Sequence, residues 1–371
     1  MRGTALFPHE RTPMRLFSPT TVGAVGVRNR VSLAPMTRVR SGAEGVPGSI
    51  VAKYYAQRAG IGLLVTEGVY PSFESQAFPG QPGIVTEKQA AAWAKVADAV
   101  HAEGGVIFMQ VMNGGRVTHP RVTGTERIVA PSAIAIEGET RLADGTKVPF
   151  PVPHALETAE LATVRDEFVA ASRRAVDAGI DGVELHAANG YLLHEFLSPA
   201  SNQRTDGYGG SPEARARFVI EVARAVVAEI GADRVGIRIS PAHNIQDAWE
   251  TDDAETRATY EALVSGLAPL GLAYLSVLHA DPAGDLVQGL RQSFGGTFIV
   301  NSGFSKVTTR DEAVSVVEED LADLVAVGRP AIANPDLVTR WQKGADENEV
   351  DQASVYGPDE RGYTDYPFLQ G

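Results

Sequence analysis

The chain has 371 residues, with 46 Asp and Glu against 33 Lys and Arg and a net charge of −13, a balance that argues against a general nucleic-acid binder. An apolar fraction of 44% and a charged fraction of 21% are those of a globular protein, and the absence of cysteine excludes disulfides, thiolate zinc sites, iron–sulfur clusters and a cysteine nucleophile. No apolar run approaches the ~18 residues of a membrane span, and Met1 to Pro13 lack the apolar core of a signal peptide, so a soluble, cytoplasmic protein with no membrane partner is expected.

At ~150 residues per domain the length allows two or three domains, yet barrels routinely pass ~250 residues as one. In chain order, β-branched runs fall at 31–37, 63–68, 106–111, 182–187, 235–240, 274–278, 297–303 and 323–329. Each is nearly continuous in apolar character, the pattern of a strand buried on both faces. Helical patterns lie between them. Thr86-Glu87-Lys88-Gln89 is a capping box opening a stripe of Trp93, Val96, Ala97 and Val100. Ser211-Pro212-Glu213 supplies a cap and a first-turn proline ahead of Phe218, Val219, Val222, Ala223 and Val226. Similar stretches occupy 160–178, 252–268, 309–319 and 333–343. Strand then helix, repeated about eight times, predicts a closed (β/α)8 barrel of the α/β class. No G-x-G-x-x-G follows the first strand, which weakens a dinucleotide-binding fold. Residues 113–156, with prolines at 120, 131, 149, 151 and 153, predict a capping hairpin or lid after the third strand, and the polar tail 346–371 must be anchored if its tyrosines are buried.

In such barrels chemistry sits where the strands end. Those ends offer Ala34 to Arg38, Thr66-Glu67-Gly68, Gln110 with Met112 to Arg116, His186 to Tyr191, Arg238 to Pro241, Asn301-Ser302-Gly303 and Gly328-Arg329. The set is rich in neutral hydrogen-bonding groups and holds no metal-ligand cluster. His186 and Asn189 are three apart, so a helical turn would aim both the same way, as a pair of donors for an oxygen that gains negative charge. Tyr191, a phenol, would approach the same ligand from another side as a proton donor. Gly303 and Gly328-Arg329 follow the seventh and eighth strands, where barrels commonly hold a phosphate. With Arg238 and Gln110 in mid-barrel, this suits a phosphorylated cofactor across the mouth. A phosphosugar isomerase or aldolase also fits barrel and phosphate site, although no lysine sits at these strand ends for a Schiff base. A catalytically silent flavin- or steroid-binding protein is a third reading, opposed by the presence of Tyr191, His186 and Asn189 together.

The segment from His186 to Ser211, HAANGYLLHEFLSPASNQRTDGYGGS, strongly resembles the old yellow enzyme family of FMN-dependent ene-reductases. So do Leu33 to Arg38, Ile237 to Pro241, Val327-Gly328-Arg329 followed by Ala333 to Leu337, and Gly362 to Pro367, in order along residues 14–370. The resemblance implies one FMN-binding barrel domain over 1–371 with 113–156 as its lid. It implies FMN held tightly and non-covalently, with Thr37 near flavin O4, Pro35 and Met36 packed beside it, Gly68 and Gln110 on the pyrimidine side, Arg238 near N1 and O2, and Gly303, Gly328 and Arg329 on the phosphate. His186 and Asn189 would grip the substrate's oxygen, Tyr191 would donate the proton, and Phe78, Met112 and Tyr363 would line the substrate pocket.

The activity so implied has two halves. NADPH or NADH gives hydride to flavin N5, and an enone, enal or maleimide then takes hydride at its β-carbon and a proton at its α-carbon, with net trans addition. The partners are small electrophilic alkenes, in a monomer or homodimer. Reduction of nitrate esters, nitroaromatics or quinones at the same flavin is the alternative. Bacterial relatives often have Trp-His where this chain has Met112-Asn113, and some have Tyr where it has Phe78, so the pocket wall departs from the family. Iron–sulfur-containing relatives are excluded by the missing cysteines.

Overall fold

The computed structural model describes residues 14–370, so the expectation for Met1 to Pro13 lies outside the described residues. Eight parallel strands close into a barrel: β1 (Val31–Leu33), β2 (Leu63–Val65), β3 (Ile107–Val111), β4 (Gly182–Ala187), β5 (Val235–Ile239), β6 (Tyr274–Leu278), β7 (Phe298–Asn301) and β8 (Leu324–Val327). Around them run α1 (Ser49–Gln57), α2 (Glu87–Ala102), α3 (Leu161–Asp177), α4 (Pro212–Ile230), α5 (Asp253–Leu267), α6 (Asp285–Phe294), α7 (Arg310–Glu318) and α8 (Leu337–Lys343). This is the predicted barrel. α1 and α6 are additional to the helices the periodicity announced, and several strands end earlier than predicted because the chain leaves the ladder to build the mouth.

Local chemistry explains the boundaries. Thr86 Oγ1 accepts from Gln89 N at 3.2 Å while Gln89 Oε1 accepts from Thr86 N at 3.1 Å, so the capping box opens α2. Ser211 Oγ accepts from Ala214 N, and Pro212 occupies the first turn of α4. The apolar faces of these helices bury Trp93, Val96, Phe218 and Val222 against the outer faces of the strands. Full burial of each such side chain contributes about 1.5–3 kcal/mol.

A hairpin of Thr20–Val22 and Val25–Val27, not foreseen in the sequence, precedes β1. Its Val22 and Val27 pack with Leu63, Val65, Phe108, Ile299 and Leu324 in a second apolar cluster, separate from the strand–helix core. The lower interior of the barrel is therefore apolar.

Above that plug the interior turns polar. Glu184 lies in register with Gln110 on one side and Gly236 on the other, and Gly236 with Tyr274. A Cβ on Gly236 would sit 2.3 Å from the Tyr274 ring, so the glycine is what lets that ring cross the barrel. Its hydroxyl then donates to Glu184 Oε2 at 2.9 Å, and Gln110 Nε2 donates to Glu184 Oε1 at 2.8 Å.

The 113–156 segment contains a short helix Pro120–Thr123, a two-residue parallel pairing of Val129–Ala130 with His154–Ala155, and an antiparallel hairpin of Glu139–Arg141 and Lys147–Pro149. The C-terminal tail is tied down by buried arginines. Arg38 donates to the Gly362 carbonyl at 2.8 Å, Arg40 to the carbonyls of Val355 and Ser354 at 2.9 and 2.8 Å, and Tyr363 stacks on Tyr54 with centroids 4.1 Å apart. Among the described residues no helix is long and apolar enough to cross a membrane.

Candidate active site

A cavity of about 770 Å³ opens at the C-terminal ends of the strands. Fourteen of the fifteen residues singled out in the sequence line it: Pro35, Met36, Thr37, Gly68, Phe78, Gln110, Met112, His186, Asn189, Tyr191, Arg238, Gly303, Gly328 and Arg329. Tyr363 does not, which corrects the expectation that it faces substrate. Its ring is wholly buried between Tyr54 and the Arg38 and Arg40 guanidinium groups, and Tyr356 of the same tail stands on the cavity wall instead.

The floor follows from the polar tier of the barrel. Arg238 is in register with His186, donates to Ser276 Oγ at 3.3 Å and keeps its buried Nε without a partner. Burial lowers its pKa while the facing Glu184 opposes that shift, and a guanidinium stays charged. Gly68 is required by its neighbour, since a Cβ there would lie 2.5 Å from Met112 Sδ.

The turn after β4 carries three side chains. The sequence predicted a helical turn; instead Asn189 and Gly190 are both left-handed, at φ 58° and 78°, and the helix Leu192–Leu197 begins only after Tyr191. Asn is among the residues that tolerate this conformation. Three bonds hold the turn: Asn189 N donates to Ser240 Oγ at 2.8 Å, Gln246 Nε2 donates to the Asn189 carbonyl at 3.0 Å, and Gly190 N donates to His194 Nδ1 at 2.8 Å. His194 Nε2 in turn meets Glu250 at 3.2 Å, wholly inside the protein.

His186 Nδ1 accepts from Ala188 N at 3.3 Å, which leaves Nε2 to carry the proton. Burial first, then the neighbouring Arg238 and His194, holds its pKa well below the ordinary histidine value, so the ring is a neutral donor. Tyr191 packs edge-on against His186 at 4.9 Å and Phe78 at 6.4 Å. Burial pushes its hydroxyl up to about 12, opposed by the neighbouring Gln246 amide. At neutral pH it is fully protonated.

At the far end, Gly303 adopts φ 96° and Gly328 is the N-cap of the turn Arg329–Ala333. Arg329 Nη2 donates to the Phe304 carbonyl at 2.8 Å, joining the loops after β7 and β8. Residues the sequence reading missed include Glu184, Tyr274, Gln246 and the tail residues Val350, Gln352 and Val355 on the wall. Glu184 was legible as an alternating polar position, two residues before His186 on a strand otherwise apolar. The tail residues carry no such local signal.

Buried polar atoms without partners gather here: Arg238 Nε, Asn189 Oδ1 and Gln246 Oε1. Buried polar groups are ordinarily satisfied, so this set asks for a polar ligand. Together with the side-chain-free backbone of Gly68 and Gly328 on the cavity wall, it fits FMN.

The chain matches the NADH:flavin oxidoreductase / NADH oxidase family over residues 15–348. It is 41% identical over 362 residues to a probable flavin mononucleotide-dependent alkene reductase of Leishmania infantum, covering 95% of this chain and 97% of that one. Among solved structures it is similar to the old yellow enzyme homologue from Zymomonas mobilis, with 35% identity, a TM-score of 0.90 and coverage of 95% and 99%. Morphinone reductase in complex with tetrahydroNAD is 42% identical, with a TM-score of 0.89 and coverage of 96% and 98%.

Proposed function

The chain belongs to the NADH:flavin oxidoreductase / NADH oxidase family, the old yellow enzymes, and from that premise we propose that it is an FMN-dependent ene-reductase that saturates activated C=C bonds at the expense of NAD(P)H. The observation that carries the reading is one cavity in which a neutral His186, an Asn189 amide and a protonated Tyr191 share walls with Gln110 and Arg238. The chain acts as a single domain in this proposal, with 113–156 as its lid.

Thr37, Gly68, Gln110 and Arg238 would hold the flavin ring, with Pro35 and Met36 packed against it, and Gly303, Gly328 and Arg329 the phosphate. When bound, FMN supplies the hydride that NADPH or NADH provides. The permanent charge of Arg238, kept in a buried site, favours the anionic form of such a ring. His186 Nε2–H and the Asn189 amide donate to the carbonyl oxygen of an enone, enal or maleimide. That withdraws density from the β-carbon and stabilises the charge that develops on oxygen. Tyr191 delivers its hydroxyl proton to the α-carbon, from the face opposite the hydride, giving net trans addition. Phe78 and Met112 shape the wall around the alkene.

The test is a spectrum of the purified protein, an anaerobic titration with NADPH, and addition of 2-cyclohexenone. A yellow protein that bleaches and recolours on adding the enone is expected. Bleaching without recolouring moves the activity to nitro compounds or quinones, and a colourless protein that takes up no FMN overturns the proposal.

A further inference from the structure

The cavity is lined by five cationic side chains, Arg38, Arg141, Arg238, Lys306 and Arg329, and by no carboxylate. The chain as a whole carries 46 acids in 371 residues, so about four would be expected among the cavity residues if charge were spread evenly. This segregation has a direction. Arg38 is committed to the Val355 and Gly362 carbonyls, Arg329 to the loop after β7, and Arg238 lies beneath the ring site. Two cations remain exposed at the mouth: Arg141 on the hairpin of the 113–156 segment and Lys306 on the loop after β7.

Among the described residues neither is ion-paired. Arg141 reaches only the Gly145 carbonyl of its own hairpin, at 3.3 Å, and stands in register with another cation, Lys147. Asp144, in the hairpin turn, pairs at 3.7 Å with Arg121 instead, and Glu139, two residues back on the strand, does not reach the cavity. Lys306 accepts an Arg329 hydrogen bond through its carbonyl while its ammonium meets no partner. A rim of unpaired cations in a strongly acidic molecule is an attractor for anions.

We propose that Arg141 and Lys306 form a phosphate-reading rim that makes NADPH the preferred reductant over NADH. The inference rests on the ene-reductase reading: the nicotinamide must enter the cavity that substrate later occupies, so the rest of the dinucleotide leaves across this rim. Both dinucleotides carry the diphosphate, but the 2′-phosphate of NADPH adds about 1.5 to 2 further negative charges. Exposed ion pairs are individually weak, so two cations acting on that group give a preference of about tenfold at low ionic strength. Salt removes it, since the screening length falls to about 8 Å at physiological ionic strength and to about 3 Å at 1 M.

The test uses the FMN-loaded holoenzyme. Adenosine 2′,5′-bisphosphate and 5′-AMP are titrated calorimetrically into the oxidised protein, and anaerobic bleaching by NADPH and by NADH is followed at 20 mM and 500 mM NaCl. The bisphosphate should bind more tightly than 5′-AMP, and the roughly tenfold NADPH advantage should shrink at high salt and in the Arg141→Gln/Lys306→Gln double variant. Recolouring by the neutral 2-cyclohexenone should be unchanged by both substitutions. A holoenzyme bleached equally well by both nucleotides at low salt, or a double variant with its preference intact, overturns this inference and leaves the ene-reductase reading standing. Loss of FMN from Lys306→Gln with the NADPH preference intact overturns the assignment of Lys306 and gives it to the flavin phosphate. A protein that neither takes up FMN nor bleaches overturns both.

Discussion

The cavity has a floor and a rim built on opposite terms. The floor is made by strands and by the turn directly after β4: Gln110 and Tyr274 both donate to Glu184 across the barrel, Arg238 donates to Ser276, and Asn189 is fixed through Ser240 and Gln246. The rim is made by loops, namely the 139–149 hairpin, the loop after β7 and the tail, and its cations stand free of carboxylates. Rigid elements hold atoms where a reaction needs them, whereas loops vary at little cost to the fold. The proposed chemistry therefore falls to the floor and the proposed selectivity to the rim, and substitutions on each should separate cleanly in the two half-reactions.

The largest effect is expected from Tyr191→Phe. Removing the proposed proton donor should slow reoxidation by 2-cyclohexenone by about 10²–10⁴-fold and leave bleaching by NADPH intact, read by stopped-flow absorbance. Equal slowing of both half-reactions would place Tyr191 in nucleotide or flavin binding and erase the division drawn here. Because burial holds this hydroxyl at about 12, the wild-type reoxidation rate should show no alkaline fall below about pH 10. His186→Ala or Asn189→Ala comes next, each costing about 2–4 kcal/mol in the transition state of the same half-reaction.

The sequence disclosed the floor far better than the rim. A strand buried on both faces must be apolar along its length, so the barrel strands stood out, and any polar residue at their ends was conspicuous. His186, Asn189, Tyr191 and Arg238 were found that way, although the left-handed turn was not, despite the Asn189-Gly190 pair that signals one. The opening hairpin stayed hidden because Thr20–Val22 and Val25–Val27 each bury a single valine. Tyr363 was misplaced because its environment is set by Tyr54, Arg38 and Arg40, more than three hundred residues away along the chain. Long-range packing of that kind has no signature in a linear pattern.

Within the floor, Gly236→Ala tests whether the polar tier is as tightly determined as its bonds suggest. The new methyl would enter the Tyr274 ring, and such overpacking typically costs about 1–3 kcal/mol. Thermal or urea unfolding should report that loss. Tyr274→Phe keeps the ring in place but leaves the buried Glu184 Oε2 without its donor, at a comparable cost of about 1–3 kcal/mol.

A further, pH-dependent effect concerns the joint between the two regions. Glu195, on the helix after β4, accepts from Arg116 N at 2.8 Å, and the Arg116 side chain reaches the Ile134 carbonyl of the 113–156 segment and the Gln246 carbonyl beside the floor. Glu195 Oε2 is buried without a partner, and burial pushes its carboxyl up to about 8. An unfolded glutamate titrates near ~4.3, so between there and about 8 the folded state binds the extra proton. Stability from this group is therefore complete below ~4.3, falls as pH rises through that window, and levels off above it. Glu195→Gln keeps the Oε1 acceptor and removes the ionisation. The variant should melt at a higher temperature than the wild type at pH 8.5 and show no advantage at pH 5. A loss of stability of equal size at both pH values would mean that the carboxyl is already ionised in the folded joint, and that rim and floor are coupled there by a charged pair with Arg116.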